Sequence, residues 1–136
     1  MTNRLSILRK SSKSLKKLPV LKQVEIARRW QLDPDTVRKL IRMHNVPAAP
    51  GPWMRSRYPI AEIWRIEGVS AALMSDPENH EALFEPLLTA NDLAEVMGCV
   101  PATARNYARD EILKSIRLGT TIRFRWSDVS QLLEGV

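Results

Sequence analysis

The sequence predicts a mainly α-helical fold with small β-hairpins, an α+β class in which one small unit is used twice in tandem. Three observations predict it. Two passages, VEIARRWQLDPDTVRKLIR (Val24 to Arg42) and NDLAEVMGCVPATARNYAR (Asn91 to Arg109), align at an offset of 67. In each, apolar residues recur at helical spacing on both sides of a break with turn chemistry. Each passage is followed by a short stretch that reads as extended, and then by Glu-Gly-Val at 67–69 and 134–136.

Taken in order, residues 1–20 form a basic arm. It holds Arg4, Arg9, Lys10, Lys13, Lys16 and Lys17 and no acidic residue. Its two readings are a flexible phosphate-binding tail and a short amphipathic helix on Leu5, Leu8, Leu15 and Leu18; a disordered arm is expected in the absence of a polyanion. The first unit spans 21–69. Its break, Asp33-Pro34, pairs a helix cap with proline at the first helical position, where the missing N–H costs nothing. The stretch from Ala48 to Met54 is proline-rich and poor for strand pairing. Arg55-Ser56-Arg57-Tyr58 and Glu62-Ile63 are expected where Arg123 to Asp128 fall in the second copy, with one residue of loop allowed.

The second unit spans 88–136. Thr89 with Asp92 reads as a capping box that starts its first helix, and Gly98 can take the left-handed conformation that ends it. Identities with the first unit fall at Ala27/Ala94, Pro34/Pro101, Thr36/Thr103, Arg38/Arg105 and Arg42/Arg109. Ser115 to Leu118 and Ile122 to Arg125 alternate around Gly119-Thr120-Thr121, which predicts a three-residue hairpin loop. Ser127 is expected to cap a last helix, Asp128 to Glu134, ended by Gly135. Between the units, residues 70–87 carry four acidic residues and no lysine or arginine. They read as an acidic helical linker: Ser70 to Met74 can extend the preceding helix, Asp76-Pro77 caps a short helix, and Leu83, Phe84 and Leu87 are candidates for packing the units together.

Composition narrows the function classes. The 136 residues carry a formal net charge of +6, which favours a polyanionic partner. No apolar run approaches the roughly 18 residues of a membrane span, and the N-terminus has no apolar secretion signal, so a cytoplasmic protein without a membrane partner is expected. The lone Cys99 takes the slot of Leu32 and reads as a small buried apolar residue. His44 and His80 have no companions at ligand spacing, so neither metal nor cofactor is expected. No phosphate-binding glycine loop, paired-carboxylate pocket or nucleophile with a base partner occurs, and no enzyme activity is expected. Trp30, Trp64 and Trp126 read as core; Trp53, in the proline-rich loop, stays open between packing and contact.

The order Leu88-Thr89, Asp92-Leu93-Ala94, Gly119, Arg123-Phe124-Arg125 and Asp128-Val129 resembles the MerR-like winged helix-turn-helix of phage excisionases and related small regulators. The resemblance covers residues 87–133, and 21–68 more weakly. It implies a double-stranded DNA partner, with the second helix of each unit entering the major groove. No long dimerisation helix and no cysteine cluster or ligand domain follow the second unit. The expectation is therefore a monomer acting as a pseudo-dimer, or a weak oligomer on DNA, without metal or drug sensing.

With the apolar side of each second helix inward, the outward residues are Asp35, Thr36, Arg38, Lys39 and Arg42 in the first unit. In the second they are Ala102, Thr103, Arg105, Asn106 and Arg109. Arginine matches guanine and asparagine matches adenine through paired hydrogen bonds. Thr36 and Thr103 suit a phosphate or a thymine methyl. Arg55, Arg57, Arg123 and Arg125 on the wings suit phosphate or the minor groove, their plain alternative being a solvated edge strand. The leading expectation is a transcriptional regulator reading adjacent, non-identical half-sites. Alternatives are an excisionase-like DNA-bending factor and a DNA-recognition subunit like those of phage small terminases. RNA polymerase or a recombinase would be the protein partner. A protein–protein adaptor on this fold would leave the arginines without a role.

Overall fold

A computed structural model describes residues 19–53 and 55–135; the expected basic arm, Arg4 to Lys17, lies outside them. The described chain is mainly helical, with eight α-helices and two small antiparallel two-stranded sheets. No helix among the described residues is long and apolar enough to cross a membrane. The chain divides into two compact units at Phe84/Glu85.

In the first unit, β1 (Val20–Lys22) runs into α1 (Gln23–Trp30), then α2 (Pro34–Met43), β2 (Arg57–Pro59) and α3 (Ile60–Ile66). Glu25 accepts the Lys22 backbone N–H at 2.8 Å and so fixes the start of α1. The helix ends on Gln31 at φ 53°, with the Leu32 N–H bonded back to Ala27 O at 3.0 Å. Asp33 then caps α2, accepting the Thr36 N–H at 3.0 Å, with Pro34 as its first residue. Trp30, Ile26, Val37 and Ile63 are fully buried between these helices. The described residues of this unit form no wing hairpin, and their sheet is a pairing with the strand that precedes α1. β2 lies antiparallel to β1, with Leu21 opposite Tyr58 and Lys22 opposite Arg57.

Residues 71–84 pack on this same unit. Gly68, at φ 88°, ends the α3 turn, so Ser70 does not prolong that helix but caps a separate one, α4 (Ala71–Ser75). Asp76 caps a 3₁₀ turn (Pro77–Asn79) that leads into α5 (His80–Phe84). The Leu83 carbonyl accepts from the Trp64 indole at 3.0 Å and from Arg29 at 2.6 Å. Trp64 also meets the rings of His80 and Phe84, each 5.2 Å away between centroids. Leu83 and Phe84 are thus spent within the first unit.

In the second unit, α6 (Ala90–Met97) is followed by α7 (Pro101–Arg109), β3 (Ile116–Leu118), β4 (Thr121–Arg123) and α8 (Trp126–Glu134). The capping box is present: Thr89 Oγ1 accepts from the Asp92 N–H, and Asp92 accepts from the Thr89 N–H, each at 3.0 Å. Gly98, at φ 67°, ends α6. The hairpin is one residue tighter than expected, because Leu118 pairs with Thr121 and only Gly119 (φ 65°) and Thr120 turn. Glycine with positive φ at the first of two turn residues matches the twist of the strands. α8 starts at Trp126, so Ser127 lies in its first turn and is not the cap. Leu93, Phe124, Val129 and Ala104 fill the core of this unit.

The repeat extends to pairing. The Leu88–Phe124 bridge of the second unit stands where Leu21 faces Tyr58 in the first. This pairing places Arg57, not Arg55, at the position of Arg123, the register that one residue of loop gives.

Candidate nucleic-acid interface

The candidate face in each unit is the outer side of its second helix. α7 buries Ala104 and leaves Ala102, Arg105, Asn106 and Arg109 exposed, with Thr103 half-buried. The side chains of Arg105 and Asn106 make no hydrogen bond or ion pair with another described residue, whereas that of Arg109 reaches Asp110 at 3.2 Å. α2 buries Val37, Leu40 and Ile41 and leaves Asp35, Arg38, Lys39 and Arg42 exposed. Two of its residues are already engaged. Arg38 pairs with Asp35 at 3.0 Å across one helical turn. The Thr36 hydroxyl donates to the Asp33 carboxylate at 2.7 Å, so it serves the cap and is not a waiting phosphate donor. That hydroxyl, followed by the Thr36 N–H, holds the Asp33 carboxyl below the usual carboxylate range.

The structure redistributes the wing arginines. Arg123 and Arg125 are each only 8% exposed, against the expectation of outward phosphate contacts. The reason lies in the pairing. β4 has β3 on one side, and the Leu88–Phe124 bridge follows at once on the other, with N···O distances of 2.7 and 2.8 Å. The segment is internal, not an edge. Arg123 donates to Ile122 O at 2.7 Å; burial pushes its pKa down, and the nearby Asp92 carboxylate pulls the other way.

The outer strand is β3, and its outward residue is Arg117, which is exposed between buried Ile116 and Leu118. Arg117 escaped the sequence reading, although the Ile-Arg-Leu alternation marks it as outward on a half-buried strand. It lines an open cleft of about 560 Å³ together with Arg105, Arg123, Thr121 and the start of α6 at Thr89 to Asn91.

The first unit has no such hairpin among its described residues. Arg55 is exposed, while Arg57 is half-buried with its guanidinium 5.1 Å from the centre of the Trp53 ring. Trp53 is 36% exposed and donates its indole N–H to Ala49 O at 3.3 Å. Its ring lies so close over Gly51 that a Cβ there would collide with it. The ring therefore works first as the packing of its own loop.

No family model matches this chain, and neither a curated protein nor a solved structure was found to be similar to it.

Proposed function

We propose that the protein is a sequence-selective double-stranded-DNA-binding protein, a transcriptional regulator that uses two diverged winged helix-turn-helix units on adjacent half-sites. One observation carries this reading. A helix pair occurs twice in which the second helix turns its apolar row inward and keeps arginine, lysine or asparagine on the solvent side. Solvated guanidinium and carboxamide groups on a short helix fit the donor and acceptor pattern of the major groove. The net charge of +6 supports a polyanionic partner, and the resemblance of residues 87–133 to MerR-like regulators supports the helix-in-groove arrangement. Tethering raises the effective concentration of the second unit once the first has bound, so each can be weak alone.

Selecting bound duplexes from a random pool tests the proposal. The expected result is an enriched asymmetric site whose affinity falls steeply as salt rises. Asn106→Ala should then relax preference at one position of one half-site, by about 1–3 kcal/mol. Failure to enrich any sequence, or binding indifferent to salt, overturns the proposal.

A further inference from the structure

The cleft of the second unit has a composition that discriminates among ligands. Its lining residues include three arginines, Arg105 from α7, Arg117 from β3 and Arg123 from β4, and neither an aromatic ring nor a carboxylate. A nucleobase would find no ring to stack on, and an apolar ligand would have to desolvate guanidinium groups. Arg105 and Arg117 make no ion pair with any described residue, and the Asp92 carboxylate beside Arg123 offsets one charge of three. Two backbone donors join them. The capping box uses the N–H groups of Thr89 and Asp92, which leaves those of Ala90 and Asn91, both at the cleft, without an intrahelical partner.

We propose that this cleft is a phosphate site that takes one backbone phosphate of the bound duplex, with Arg117 and Arg105 gripping it and Arg123 behind them. The assignment rests on the DNA-binding reading above and gives Arg105 a different task within it. Arg105 positions the helix, and base reading on α7 falls to Ala102, Asn106 and Arg109. Phosphate contacts fix register and orientation, and base contacts choose sequence. About 560 Å³ is far more than one phosphate group fills, so the flanking sugars can enter with it. In the first unit the matching positions are Arg38, tied to Asp35, then Pro50, and Arg57, stacked beside Trp53. The grip therefore belongs to the second unit.

The same chemistry would hold the phosphate of a free small molecule, and the experiment separates the two sources. Full-length protein and its Arg117→Ala variant are titrated with a short duplex over a series of salt concentrations. Inorganic phosphate is titrated separately into each, followed by the amide signals of Ala90, Asn91 and Thr121. Arg117 is exposed, so the variant is expected to fold, and its unchanged amide spectrum away from β3 checks this. If the duplex phosphate is the ligand, the slope of log affinity against log salt becomes shallower by about 0.9 in the variant, and all sequences weaken alike. A duplex bound with an unchanged slope overturns the site while the DNA-binding reading stands. If no duplex binds at all, the DNA-binding reading falls. Phosphate-induced shifts that the variant abolishes would then assign the cleft to a free phosphate compound, and their absence would overturn it altogether.

Discussion

Behind the first helix pair, Arg29 and Trp30 both donate to the Glu67 carboxylate, at 2.7 Å each, and Arg29 also holds the Leu83 carbonyl. At the matching positions of the second pair stand Val96 and Met97, and Glu134 is exposed where Glu67 is buried. The same scaffold is thus closed by a buried ionic network in one unit and by apolar packing in the other. The network has a structural consequence that apolar packing would not have. It reaches across to α5 and fastens residues 71–84 onto the first unit. The second unit, without that anchor, carries a regular hairpin instead, and with it the arginine-lined cleft. The two units thus differ in what the shared plan carries, extra helices in the first and an arginine-lined cleft in the second.

Removing Glu67 breaks this contrast most strongly. Arg29 is 4% exposed and the Glu67 side chain 0%, so Glu67→Ala takes the carboxylate away from a buried guanidinium and an indole N–H. Truncating one partner of a buried pair costs about 3–5 kcal/mol, well above the value of the pair itself. Glu134→Ala, its exposed counterpart, is expected to stay within about 0.5 kcal/mol. Urea unfolding of both variants measures the difference, and hydrogen exchange should show the loss at α1, α3 and α5. Equal effects would mean that Glu67 is not the anchor.

The turns between the paired helices give a smaller contrast. Gly98 and Gln31 hold the same left-handed position, at φ 67° and 53°. Nothing lies within 4 Å of a Cβ placed on Gly98, so only backbone strain opposes a side chain there. Gly98→Gln should cost about 1–2 kcal/mol, and Gln31→Gly should recover up to about 1 kcal/mol, less because glycine loses more entropy on folding. Thermal unfolding of the two reciprocal variants reads both signs. Shifts of the same sign would break the equivalence of the two turns.

What could be read in the sequence was local. The Thr89–Asp92 box, the Asp33-Pro34 and Gly98 turns and the inward row Val37, Leu40, Ile41 all depend on residues within a few positions of one another. What escaped depends on distant pairing. Arg29 meets Glu67 across 38 positions, and no short-range pattern announces a buried arginine. β1 and β2 are three residues each and far apart, too short to show alternation. Arg123 and Arg125 looked like an edge strand because the Leu88–Phe124 bridge that covers them is invisible in the strand itself. Arg117 was legible from its neighbours, since it stands between two apolar residues on a three-residue strand. The acidic 70–87 segment looked like a linker by charge, but its attachment rests on the carbonyl of Leu83 and the ring of Phe84, neither of which composition reports.

The smallest effect distinguishes the two caps. Asp33 and Val100 occupy the same N-cap, and only the first has a side chain that accepts a hydrogen bond. The Asp33 carboxyl titrates below its ordinary value of 3.8 because its ionised form accepts the Thr36 hydroxyl and N–H. A depressed folded-state value means that the unfolded chain takes up the proton first as pH falls. The contribution of Asp33 to stability is therefore complete above pH 3.8 and disappears as pH drops through the lower folded value. An Asp33→Asn variant keeps the cap without the titration, since asparagine is as good an N-cap as aspartate. In that variant, protection of the Thr36 amide at neutral pH should remain, and its loss in acid should shrink. The amides at the start of α7 should show no matching step in either protein, because Val100 has nothing to protonate. An acid step of the same size in both helices would place its origin elsewhere than in the Asp33 cap.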